Sequence, residues 1–412
     1  NQTGVLLGSQ YVPPSQSAQS AVSDLNSNPT LLSGGSAQSH QTAADPIDIV
    51  VGSYTYTHRD LSVGSGAFPD TLSFVRTFDS ALAQTGRNSS LLGSGWMHNF
   101  DMTAWPDSDG FEGMGDNSPV SGAASIAALY VLQDILNLQT NTAKPTERLI
   151  IAAQVEKWLM EQLTGNVVSV TRPGSIERFT SLTNGAYNAP IGSAAVLNGD
   201  ATNGYAYHSG GGVTLNFNGA SATAPGKISA WANAAGAKVG LTYNNSGQLQ
   251  SICEPTCGTS RRQLNLTYAN NQLTVVNDNT GSTPRTATYA YNANGELTGV
   301  VDPLGQATTF AYAAPGQLSQ IFYPVNSRWP FLSIAYDTLG RPKSQTNANG
   351  ATTTLRIAGS RAETTDPAGT LWVSYFTSRG RTLAMIDGLG SAGVNAGAGN
   401  LTSFTYDGLD RV

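Results

Sequence analysis

From about Val239 onward, apolar and small polar residues alternate in short runs, and each run ends in a cluster of turn-forming residues. Side chains two apart in a strand share a face. The runs therefore place Leu241, Leu266, Tyr289, Phe310, Ile334 and Phe404 in one row, each two residues ahead of Tyr243, Tyr268, Tyr291, Tyr312, Tyr336 or Tyr406. Thr353 and Ser374 hold the same place more weakly, ahead of Leu355 and Phe376. Turn sequences such as Asn-Ala-Asn-Gly (292–295) and Asp-Thr-Leu-Gly (337–340) follow the anchors, with residues that tolerate positive φ. A second short strand comes next, as in Glu296 to Val301, and Asp-Pro-Leu-Gly (302–305) turns the chain again. The frame Tyr291, Gly295, Asp302, Gly305 recurs as Tyr336, Gly340, Asn347, Gly350, as Leu355, Gly359, Asp366, Gly369, and as Phe376, Gly380, Asp387, Gly390. Tyr243 with Gly247 and Tyr312 with Gly316 keep its first half, Tyr268 lacks the Gly, and Tyr406 opens a further unit. Such self-similarity at a period of about twenty residues predicts a repeat architecture. Each unit reads strand, turn, strand, turn. A lone hairpin is marginal in water, so the units are expected to stack edge to edge and bury the Tyr face as core.

Ahead of the repeats the pattern changes twice. Residues 1–44 are rich in Ser, Gln, Asn and Gly and read as an extended or disordered leader, with Val5-Leu6-Leu7 and Leu31-Leu32 as anchors if it lies along the body as a strap. Residues 45–117 read as an N-terminal β module: Ile49-Val50-Val51 as strand, Leu72 to Phe78 alternating as a strand, and a Gly-rich turn into Trp96-Met97-His98-Asn99. Residues 118–165 break the β pattern. Ser118-Pro119 is a helix start, Ile126, Leu129, Leu132 and Leu136 mark one face, and Pro145 opens a second stripe through Leu149, Ala152, Val155, Leu159 and Leu163. This predicts an inserted helical hairpin, with Asp134 and the amphipathic second helix arguing against a membrane span. Residues 166–238 read as a β module leading into the repeats at 239–412, and the Gly/Ala-rich stretch 391–400 as a loop insertion.

Composition narrows the function classes. Charged residues are 12% of 412, about half the usual share, and the net charge is −6 with no basic stripe, so no nucleic-acid partner is expected. No apolar run reaches 18 residues, so no transmembrane helix is indicated. The two cysteines, Cys253 and Cys257, flank a Pro-containing turn; a disulfide is the favoured reading, with free thiols and a zinc site as alternatives. No nucleophile-elbow, zinc-protease or phosphate-loop motif is present. Asp107-Ser-Asp109-Gly110 opens like a calcium loop but lacks the closing Glu. His58-Arg59-Asp60 is compact, yet neighbours on a strand face opposite ways, which disfavours a working His-Asp pair, and His98 is expected to be packed and hydrogen-bonded. No catalytic, cofactor or metal residue is therefore assigned, and no enzyme is expected. Trp231, Trp329 and Trp372 fall outside the anchor positions and are candidates for ligand contact, including sugar stacking.

The repeats resemble those of the RHS family, also called YD repeats. Tyr336-Asp337 and Tyr406-Asp407 carry the pair, followed by Gly340-Arg341 and an Asp410-Arg411 version. Asp45-Pro46, Gly52-Ser53-Tyr54, the Phe74-x-Arg76-x-Phe78-x-Ser80 row and Gly93-x-Gly95-Trp96-x-His98-Asn99 resemble the β region ahead of such repeats. The resemblance implies a mainly β protein whose stacked hairpins form a spiralling sheet or shell, often around a C-terminal toxin segment. It also implies a secreted or surface-displayed bacterial protein acting in toxin delivery or competition. The sequence stops inside a unit, without a closing segment, self-cleaving aspartates or toxin domain. The expected role is a non-catalytic scaffold or shell, with a carbohydrate-binding or adhesive surface protein as the alternative. The expected partners are the remainder of a longer chain, further copies, or glycans. The strand near Thr402 to Tyr406 is expected to be covered by such a remainder, by the leader, or by a second copy.

Overall fold

A computed structural model describes residues 42–107 and 165–407, apart from short gaps at 44–45, 66–67, 85–90, 174, 183, 191, 280, 327, 378–379 and 390–398, together with isolated positions 128, 131–132 and 153. Of the predicted helical hairpin at 118–165 only Ala128, Val131, Leu132, Ala153 and Gly165 are described, all as exposed helix; the rest of it and the leader up to residue 41 lie outside the described residues.

Nearly all the described secondary structure is antiparallel strand. Nineteen strands, from Val196–Asp200 to Asn400–Ser403, form one sheet in sequence order. Five strands (Thr42–Ala43, Ile47–Asp48, Ser53–Gly64, Thr71–Asp79 and Trp96–His98) form a second, and Thr103–Asp107 joins Val167–Arg172, Ser175–Ser181 and Tyr187–Asn188 in a third. The large sheet begins at Val196, ahead of the boundary expected near Val239, and residues 166–188 belong to the third sheet. Ile49-Val50-Val51 is a buried turn rather than the expected strand, because the Asp48 carboxylate accepts from the amides of Val50 (2.9 Å) and Val51 (3.1 Å) and caps it. A short helix, Ser80–Gln84, follows the strand Thr71–Asp79; the alternating pattern did not announce it.

The repeat unit has a specific mechanics. In the hairpin of Thr286–Tyr291 with Leu297–Val301, the register runs Thr288↔Val301, Tyr289↔Val300, Ala290↔Gly299, then slips so that Tyr291 faces Leu297. The same slip falls just before Tyr243, Tyr268, Tyr312 and Tyr336. Such a bulge bends the strand and re-aims the side chain after it. Each anchor phenol then donates to a backbone carbonyl of the preceding unit: Tyr243 to Ile228 (2.6 Å), Tyr268 to Leu249 (2.9 Å), Tyr291 to Leu273 (2.6 Å), Tyr312 to Leu297 (2.8 Å), Tyr336 to Leu318 (2.7 Å) and Tyr406 to Thr382 (2.8 Å). Burial raises the first five phenols above their ordinary pKa, so they remain donors at neutral pH.

The anchors are only partly buried. The fully buried row lies two residues earlier: Leu241, Leu266, Tyr289, Phe310 and Ile334 are all at most 7% exposed. The expectation that the anchors themselves form the core is corrected accordingly, since each must reach past the core to a strand end. The turns are as local as the sequence suggested. Asn292, Asp302, Asp337 and Asn347 each accept, through the side chain, the amides two and four residues on, and Gly295, Gly305, Gly340 and Gly350 close these turns at φ between 76° and 81°. The last expected turn is an exception. Asp387 sits inside the strand Thr382–Leu389, opposite Asn400.

Candidate functional site

The N-terminal module packs on the apolar row of the large sheet, and this seam is the most chemically distinctive part of the molecule. Tyr56 and Trp96 meet Phe310 edge-on, at 5.9 and 5.1 Å between ring centres, and Phe74 meets Tyr289 at 6.2 Å. Trp96 Nε1 donates to the Tyr312 hydroxyl at 2.9 Å, so one anchor serves the ladder and the seam together. At the margins, Gln84 donates to the Gly340 carbonyl, the Leu273 amide to the Leu91 carbonyl, and Arg285 to the Ser62 carbonyl.

Inside the seam lies a charged pair with no solvent exposure on either side chain. Between Arg59 and Leu61 the hairpin with Thr71–Asp79 shifts register, leaving Asp60 as the extra residue and turning it inward. Its two oxygens share the single Arg76 Nε–H (3.0 and 2.8 Å), one accepts from the Tyr289 hydroxyl (3.0 Å), and the other lies 2.9 Å from His58 Nδ1. The Arg76 guanidinium sits over the rings of Tyr56, Trp96 and Phe310 at 5.5, 5.0 and 5.0 Å. Its two terminal nitrogens have no hydrogen-bond acceptor and face these π-surfaces instead. Burial is the largest influence and disfavours its charge, but the Asp60 carboxylate together with the Tyr56 and Tyr289 hydroxyls outweighs this and holds its pKa above the ordinary value.

The pairing of His58 with Asp60 corrects the expectation from the triplet. Residues two apart share a face, and the bulge brings the carboxylate to the imidazole. An Asp-held His is half of an acid–base apparatus, but Asp60 is also committed to Arg76 and Tyr289, and His58 has no hydroxyl or thiol partner among the described residues. His98 is packed, as expected. Its Nδ1 accepts from the Phe100 amide at 3.2 Å, and burial pushes its pKa down to about 4. It lines a small cavity at the seam with Asp101, Lys227, Tyr243 and Tyr268, with room for about one water molecule. Among the described residues, no three His, Cys, Asp or Glu gather as a metal site. Asp107 accepts from Ser169 Oγ at 2.6 Å, and Ser108 to Gly110 lie outside the described residues.

The other sequence candidates are dispersed. Cys253 and Cys257 are bonded to each other, with their Cα atoms 4.9 Å apart. Trp231 is partly buried, its ring centre 4.4 Å from that of Phe68 in the N-terminal module, and so belongs to the seam. Trp372 stands on a strand opposite Thr364, partly buried. Trp329 is 63% exposed, on a loop between Gln317–Phe322 and Leu332–Tyr336. Sequence reasoning did not single out Asp60, Arg76 or Tyr289 as a cluster. The one available signal was a charged residue inside the alternating row Phe74-x-Arg76-x-Phe78, where an apolar residue belongs.

The described architecture is that of a β-rich protein of stacked antiparallel hairpins. The RHS Repeat family matches at residues 268–307 and 291–321, and a domain of unknown function, DUF6531, matches at 44–114. Residues 268–321 of the chain thus carry RHS/YD repeats. No curated protein matches it. Among solved structures it is similar to TcdB2-TccC3-Cdc42 at 14% identity and a TM-score of 0.34, covering 60% of this chain and 16% of that one. It is also similar to a Photorhabdus luminescens Tc holotoxin pore, at 15% identity, a TM-score of 0.28, and 57% and 16% coverage. A porin-like protein from Bacteroides uniformis matches at 10% identity and a TM-score of 0.24, over 46% of this chain and 84% of that one. The chain thus spans about a sixth of the toxin chains it matches.

Proposed function

We propose that these residues are a non-catalytic structural part of a larger secreted RHS protein: a scaffold or enclosing wall that serves toxin delivery or competition between cells. The observation that carries this reading is the repeat mechanics. Six anchor phenols tie successive hairpins into one continuous sheet, and the N-terminal module closes part of its apolar face. Such an arrangement provides rigidity and a lined wall, and the buried Asp60 carboxylate is engaged by Arg76 and Tyr289 rather than presented to a substrate. The Cys253–Cys257 bond supports an oxidising destination outside the cytosol. The partner in this reading is the remainder of a longer chain or its C-terminal segment.

The test uses the native product. An antibody raised to residues 239–377 should recover a polypeptide extending past Val412 whose C-terminal part resists protease until the wall is denatured. Recovery of a product ending near Val412, or of a C-terminal part cleaved as fast as an unfolded chain, would count against the scaffold reading.

A second reading, adhesion or glycan binding, has one observation in its favour. The turn at 302–306 and the loop at 323–331 lie on the same rim of the sheet and expose Leu304 (82%), Val325 (97%), Trp329 (63%) and Phe331 (43%). Apolar side chains gathered at a surface mark contact sites. A glycan array probed with the wild-type chain and with Trp329→Ala decides it: binding lost in the variant supports adhesion, and an empty array removes the glycan form of it.

A further inference from the structure

The repeats present the N-terminal module with a problem of choice. One unit is two strands, so docking sites on the large sheet recur at roughly 10 Å. The row that the module covers is nearly degenerate to a purely apolar partner: Leu241, Leu266, Tyr289, Phe310 and Ile334 are all buried there. A slide by one unit would replace one large apolar side chain with another. The anchors discriminate no better. Trp96 donates to Tyr312, but Tyr291 and Tyr336 would offer the same hydroxyl one unit either way.

We infer that the buried Asp60–Arg76 pair is a register lock that selects the repeat on which the module docks, by recognising Tyr289 and Phe310 together. Of the five buried row residues only Tyr289 carries a hydrogen-bond donor, and Asp60 accepts from it at 3.0 Å. Slid one unit either way, the carboxylate would meet Leu266 or Phe310, neither of which can donate. Phe310 supplies the third ring around Arg76, at 5.0 Å. Slid so that Ile334 took the place of Phe310, the terminal nitrogens of Arg76 would lose a π-face while still lacking an acceptor. A buried charge is costly unless its partners are in place, so the pair penalises every register but one. This also accounts for a charged pair at a place where apolar residues would pack as well. A buried polar group kept for alignment rather than stability is a device known from other repetitive interfaces.

Other seam contacts are less selective or more peripheral. Arg285, which reaches the Ser62 carbonyl, is 49% exposed, and Asp70, near Arg262, is 69% exposed. Among the described residues the Phe68–Trp231 contact is an alternative selector of comparable size, and the experiment includes it.

The experiment moves the key by one unit. Nitroxide labels at Arg59→Cys and Asn349→Cys, both exposed positions, report the module-to-repeat distance by pulsed electron resonance. The wild-type background should give one distance. Moving both parts of the key, Leu266→Tyr with Tyr289→Phe, should move the principal distance by about one unit, roughly 10 Å. Tyr289→Phe, which disturbs packing least, should raise the misdocked population roughly ten-fold or more, as expected for losing a hydrogen bond to a charged group. Trp231→Ala should leave the distance unchanged. A single unaltered distance in Tyr289→Phe, with wild-type circular dichroism, would overturn the inference even if the double variant failed to fold. A shift in Trp231→Ala would overturn it too, by assigning the choice to the Phe68 contact.

Discussion

Tyr291 and Tyr406 close equivalent positions at the middle and the far end of the repeats, and both phenols donate to a carbonyl of the preceding unit, at 2.6 and 2.8 Å. Their surroundings differ. Around Tyr291 the row residues Tyr289 and Phe310 lie under the N-terminal module, 6% and 5% exposed. Toward Tyr406 the strand Asn400–Ser403 is exposed at all four positions, Leu401 is 66% exposed, and Met385 and Ile386 are only partly covered. Backbone pairing and the phenol bond are thus properties of a unit and its neighbour, whereas burial of the row is supplied from outside the repeat. A repeat sheet of this kind holds its register locally and gains most of its apolar stabilisation only where something covers it.

The sharpest way to break that comparison is to remove the buried cation. Arg76→Ala leaves Asp60 charged and enclosed and should destabilise by about 3–5 kcal/mol. Arg361, whose side chain is 41% exposed and pairs with Glu363, should cost about 1 kcal/mol or less as Arg361→Ala. Urea unfolding of the two variants measures the difference, and equal losses would mean that the seam confers no special burial. Phe310→Ala against Leu401→Ala tests the apolar side of the same claim: about 3–5 kcal/mol for the first and within about 0.5 kcal/mol for the second.

Acid should loosen the covered region through His98. Its pKa is about 4 in the folded chain against an ordinary 6.5, because burial opposes its charge. Between those values the unfolded chain binds a proton that the folded chain does not. Stability therefore falls as pH drops from about 6.5 to about 4 and levels off below, by roughly 3 kcal/mol for a shift of this size. Carboxylates also titrate there, so the measurement is the difference between wild type and His98→Gln across that window. A pH dependence identical in both would mean that the imidazole is charged, or solvated, in the fold.

The contrast between unit and surroundings also explains what could be read in the sequence. The turns were legible because Asn292 or Asp337 and the Gly three residues on act within five residues of chain, and the buried row was legible because strand alternation is local. The half-burial of the anchors was not. The Tyr291 phenol answers to Leu273, eighteen residues back, and the slip at Ala290 that aims it leaves no mark in the apolar pattern. The Asp60–Tyr289 contact joins positions 229 apart, and no period or spacing connects them. Asp387 was misread as a turn because it matched the repeat frame, while the strand through it continues to pair with Asn400–Ser403.

The smallest expected effect is the most direct test of the local half of the comparison. Tyr291→Phe and Tyr406→Phe each remove one hydroxyl and leave the ring in place. At Tyr291 the abandoned Leu273 carbonyl belongs to a residue with no exposed surface, whereas Thr382, which serves Tyr406, is only partly covered. If the phenol bond is a property of the unit, both variants should lose on the order of 1 kcal/mol, with Tyr291→Phe toward the upper end because water cannot reach the orphaned acceptor as easily. Native-state hydrogen exchange localises the effect: amides of the strands flanking Thr382 should exchange faster in Tyr406→Phe, and those flanking Leu273 faster in Tyr291→Phe, with little crossover. A loss confined to Tyr291→Phe, with Tyr406→Phe indistinguishable from wild type in both stability and exchange, would show that the phenol ladder depends on the covering module and is not written into each repeat.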